Sequence, residues 1–115
     1  MAADSVLFIG WNRALPGHEA KAIELLFQSL NYFAAQAKAG NLDSFQPVLL
    51  RPHGGDLNGF VMITGEGSKL DALVRSDEFQ DLVVAGQLLL DGLGVTFGDT
   101  GEAVARLIQR IQKHL

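Results

Sequence analysis

Two short segments constrain this chain more than any other feature. Val6-Leu7-Phe8-Ile9 and Phe60-Val61-Met62-Ile63 are apolar at every position and contain many β-formers. A strand with one face in a core and the other in water alternates apolar and polar residues, so a strand apolar on both sides needs cover on both sides. The first segment runs from Ser5 to Trp11, and the second follows the glycine-rich tip Arg51-Pro52-His53-Gly54-Gly55-Asp56. Both therefore read as strands bounded by turn chemistry.

The remaining elements set the topology. After Pro16-Gly17, the residues Ala20, Ile23, Leu26, Phe27, Leu30, Phe33, Ala34 and Ala37 recur at steps of three and four, which predicts an amphipathic helix from His18 to about Ala39, closed by Gly40-Asn41. Asp43 to Arg51 and Leu57 to Gly65 predict a hairpin, its first strand an edge strand because it contains Pro47. Ser68 and Ser76 read as N-caps of a helix broken in two and ending at Asp91-Gly92. Leu93 to Gly98 is the last predicted strand. Asp99-Thr100-Gly101-Glu102 then opens a final helix with Val104, Leu107, Ile108, Ile111 and Leu115 on one side.

The order β-α-β-β-α-β plus a C-terminal helix predicts an α+β, ferredoxin-like fold with a four-stranded antiparallel sheet and both helices on one face. One domain is expected, with its core at residues 5–99 and the C-terminal helix at about 101–114. The second sheet face then awaits either that helix or a second copy of the sheet. Large exposed apolar patches are rare on monomers, which favours a homodimer.

On this element order and these two-sided strands, residues 5–99 resemble the dimeric α/β-barrel superfamily, which includes antibiotic biosynthesis monooxygenase-like and muconolactone isomerase-like proteins. The resemblance implies a dimeric α/β barrel, a small-molecule pocket between sheet and helices, and an activity such as cofactor-independent oxygenation or isomerisation of an aromatic compound. Haem-degrading members use an Asn, Trp and His set. Asn12 falls at a matching place, but Gly67 to Leu90 contains no histidine and Trp11 belongs to a different element.

Composition narrows the partners. A net charge of −4 with nine scattered Lys and Arg residues argues against nucleic acid. The absence of cysteine excludes disulfides and thiolate metal sites, and suits a reducing compartment. No apolar run reaches the roughly 18 residues of a membrane span, and Met1-Ala2-Ala3-Asp4 lacks the basic start of a signal peptide. A cytoplasmic protein is expected. Gly54-Gly55 lies outside both dinucleotide and phosphate-loop spacings, so no cofactor is expected.

In this topology the first two long strands run the same way, which brings their trailing loops to one rim. His53 is the first candidate there, because imidazole exchanges protons near neutral pH, with Asp56 to orient it. The plainer reading of both is a turn. Asn12, Arg13 and Asn58 could bind a polar group, Arg13 by a two-pronged contact. Trp11 could stack on a flat ligand or simply fill the core. His18, His53 and Asp56 lack compact ligand spacing, so no metal is expected. Without a clear nucleophile or acid–base pair, a non-catalytic dimer binding a metabolite or partner is the alternative to an enzyme.

Overall fold

A computed structural model describes residues 3–115. Ten elements follow one another: β1 (Ser5–Trp11), β2 (Arg13–Ala14), α1 (Glu19–Lys38), β3 (Ser44–Leu49), β4 (Gly59–Gly65), α2 (Gly67–Arg75), α3 (Asp77–Leu89), β5 (Leu90–Asp91), β6 (Gly94–Asp99) and α4 (Glu102–Gln112). The main sheet is open, with order β3-β4-β1-β6 and every neighbouring pair antiparallel. This is the ferredoxin-like arrangement, with the two doubly apolar strands, β1 and β4, at its centre. Pro47 lies in β3, an edge strand, as its missing N–H requires.

Register assigns every β1 side chain to a face. Leu7 lies opposite Ile63, Ile9 opposite Val61 and Trp11 opposite Gly59. This face meets the helices, and Leu7, Val61 and Ile63 are buried with Phe33, Leu42, Leu70, Leu73 and Phe79 in one core. On the reverse face Phe8 lies opposite Met62, and its ring stacks on Phe60 at a centroid distance of 5.0 Å. The chain lays no helix there. Met62 is 38% exposed, and Val6, Phe8, Val48 and Phe60 are only half-buried.

The helices depart from expectation in instructive places. In α1 the buried residues are Leu25 and Phe33, whereas Ile23 and Phe27 are exposed. Packing against α3 as well as the sheet turns the helix away from its simplest stripe. Gly40 takes φ +82°, the left-handed conformation that suits a glycine just past a helix end. Ser68 is not a cap, because α2 already begins at Gly67, whose N–H donates to the Asp4 carboxylate at 2.9 Å. Ser76 does cap α3, accepting from the Phe79 N–H at 3.3 Å.

The predicted end of the broken helix at Asp91-Gly92 is replaced by β5, which pairs with β2 through Arg13 opposite Asp91 and Ala14 opposite Leu90. In α4, Val104, Leu107, Ile108 and Ile111 are all at least 40% exposed, so the C-terminal helix does not cover its own sheet.

The capping assignment gives a direct check by urea denaturation. Ser76→Ala should lower stability by about 1 kcal/mol, whereas Ser68→Ala should stay within about 0.5 kcal/mol of the parent. Equal losses would contradict the assignment.

Candidate functional site

Between the sheet and the helices lies a cavity of about 370 Å³. Its floor is Ile9, Trp11 and Val61 from β1 and β4, its walls are Ala22, Leu26 and Phe33 of α1 and Leu82, Val83 and Gly86 of α3, and Leu49, Leu90 and Leu93 border it further out. Small residues, Ala14 and Ala22, line this space, whereas Gly86 makes room for the Leu93 side chain, which a Cβ there would meet at 2.6 Å. Ile23 and Leu49 on its border are 56% and 67% exposed, so the cavity opens to solvent.

Trp11 holds its place on this floor for a local reason. Its cross-strand partner is Gly59, and a Cβ there would lie 2.6 Å from the indole ring. Any larger residue at 59 would displace the ring, so the pair Trp11–Gly59 fixes an aromatic plane at the end of the sheet. Trp11 is the one sequence-predicted site residue that lines the cavity.

The other candidates form a polar rim behind it. Asn58 Nδ2 donates to Asn12 Oδ1 and, at 3.2 Å, to the Gly55 carbonyl. Asn12 Nδ2 donates to Asp91 Oδ2 at 3.1 Å. Backbone bonds run in parallel, from Asn58 N–H to the Trp11 carbonyl and from Asn12 N–H to the Asp91 carbonyl, both at 2.9 Å. The end of β1, the glycine-rich loop and β5 are thereby tied into one unit. Asp91 entered the sequence reading only as the end of a helix, because its partner is 79 positions away.

His53 is exposed, and both its ring nitrogens serve its own turn. Nδ1 accepts the Gly55 N–H at 3.2 Å, which leaves Nε2 to donate to the Leu57 carbonyl at 2.7 Å. Asp56 is exposed nearby, and neither residue borders the cavity. Arg13 is exposed in β2 and is likewise outside the lining. Sequence reasoning missed Glu19 and Ser29, the polar groups that do line the cavity besides Trp11, because polar residues in the first and third turns of a long helix look like ordinary solvent positions. No cluster of three metal-ligating side chains occurs among the described residues, and none of their helices is long and apolar enough to cross a membrane.

No protein-family model matches the chain, and no curated protein matches it. Solved structures do. A dimeric protein of unknown function with a ferredoxin-like fold from Bacteroides fragilis superposes with a TM-score of 0.57 at 10% identity, covering 84% of this chain and 96% of that one. SnoaB, a cofactor-independent oxygenase from Streptomyces nogalater, superposes at 0.51 and 18% identity, covering 85% and 92%. A Chloroflexus aurantiacus protein assigned provisionally as an antibiotic biosynthesis monooxygenase gives 0.53 at 17% identity, covering 84% and 93%. At these identities the likeness is one of fold, and the fold it establishes for this chain is ferredoxin-like.

Proposed function

We propose that this chain is a homodimeric small-molecule-binding protein whose largely apolar ligand enters the sheet–helix cavity past Trp11. The observation that carries the reading is the cavity itself. Protein interiors are close-packed, and a solvent-accessible apolar space of about 370 Å³ within a sheet–helix layer is of the size small ligands occupy. In this reading Asn12 and Asn58 hold the shape of the mouth, while His53 and Asp56 belong to the turn that presents Asn58.

A second copy is the proposed cover for the reverse sheet face. Phe8, Phe60, Met62 and Val48 form a continuous apolar surface there, and like surfaces meet readily across a two-fold axis. The dimeric state of the Bacteroides fragilis protein of the same fold supports this. Two sheets packed in this way would give the dimeric α/β barrel.

Catalysis is a further reading, favoured by the fold shared with SnoaB and by an aromatic ring in the lining of an apolar space. A cofactor-independent oxygenase relies on its substrate to supply electrons to oxygen, so the protein's part would be to hold the substrate dry and oriented. Oxygen uptake that depends on a compound bound in the cavity would separate this reading from simple binding.

Trp11 is the only tryptophan in the chain, so its emission reports the cavity directly. Titration with 1-adamantylmethanol should change that emission saturably, and Ala22→Phe should abolish the change without lowering the melting temperature. A flat titration of the folded parent would contradict the proposal. For the interface, light scattering should give twice the chain mass, and Met62→Glu should yield monomer because it would bury an unpaired charge. A monomeric parent at micromolar concentration would exclude the dimer.

A further inference from the structure

We propose that the cavity selects its ligand by charge, and that Glu19 makes it a site for a hydrophobic molecule with a cationic end, such as an aliphatic or aromatic amine, and not for a hydrophobic acid. The inference rests on the small-molecule reading above and specifies its ligand class. Of the residues lining the cavity, only Glu19 carries a charged side chain. Ser29 already donates its hydroxyl to the Leu25 carbonyl at 2.7 Å, which leaves its oxygen to accept. The lining therefore offers a ligand one carboxylate and one hydroxyl oxygen as acceptors, against the single indole N–H of Trp11 as a side-chain donor.

Among the described residues no side-chain cation forms an ion pair with that carboxylate. The one ion pair found among the described residues joins Arg75 to Asp71 on α2, and Glu19 takes part in none. Arg13 is the residue that the sequence offered for a two-pronged contact with an anion at this end. It is exposed, stands opposite Asp91 in the β2–β5 pair, and lies outside the lining. An acidic ligand would thus lose its water to an apolar wall and meet a like charge at the border. A ligand ammonium would meet its counter-charge at the same place, while its hydrocarbon part filled the space between Ala22, Val61 and Val83.

Three spectroscopically silent probes of one shape test this: 1-adamantylmethylamine, 1-adamantylmethanol and 1-adamantanecarboxylate, titrated at pH 7 and low salt with Trp11 emission and calorimetry as readouts. The amine should bind tighter than the alcohol by about two- to fivefold, the range of an exposed charge pair, and the carboxylate should bind most weakly. Added salt should narrow the spread. Glu19→Gln should remove the difference between amine and carboxylate, with persistent alcohol binding showing that the cavity is intact. Arg13→Gln should leave the order unchanged. A carboxylate that binds as tightly as the amine, or an order that survives Glu19→Gln, would overturn the proposal. Failure of all three probes, the neutral alcohol included, would overturn the small-molecule reading and the charge selection with it.

Discussion

The pairing of β1 with β4 is the constraint on which the rest of the molecule depends. Both strands carry large apolar side chains on both faces, and their register sorts these into two surfaces of different fate. Leu7, Ile63 and Val61 are buried beneath the helices, where full burial of each side chain contributes about 1.5–3 kcal/mol. Phe8, Phe60 and Met62 face the other way, over a side on which the chain lays no helix of its own. One strand pair thus produces a closed core on one side and an unfinished surface on the other.

The covered side is itself not filled to the end. Near the start of β1 the layer is dense, with Leu7, Ile63, Leu70 and Phe79 almost wholly removed from solvent. Towards the end of β1 the Trp11 ring packs closely on Gly59, but the residues that line the space beyond it include the small Ala14 and Ala22. Packing therefore loosens where the Asn12–Asn58–Asp91 hydrogen bonds fix the surrounding loops. A loose apolar layer behind a tied polar rim differs from a frayed edge, because the bonds hold the opening in one shape.

Much of the fold could be read from the chain because its signals are local. The bounds of β1, the edge position of Pro47, the helix end at Gly40 and the cap at Ser76 each follow from a residue and its immediate neighbours. Ser68 misled because the α2 start is held by Asp4, 63 residues away, and no local pattern reveals such a partner. The two-residue strands β2 and β5 are too short to show any periodicity. Of the site, Trp11, Asn12 and Asn58 were legible as a rim by topology, and the structure brings them together. The cavity was not, since it lies between residues of several separate elements, small ones such as Ala14 and Ala22 among them, which no single segment displays. His53 drew attention by its chemistry, yet its two hydrogen bonds stay within residues 53–57.

The central claim is that the two faces of the sheet do different work, one admitting a small molecule and the other meeting a second copy. Methyl-selective NMR of the labelled protein, with 1-adamantylmethanol added, tests this most directly. The account predicts shifts and probe contacts at Ile9, Val61 and Val83, with Val6 and Val48 on the reverse face unaffected. Contacts at Val6 and Val48, or an unchanged spectrum at saturating probe, would contradict it.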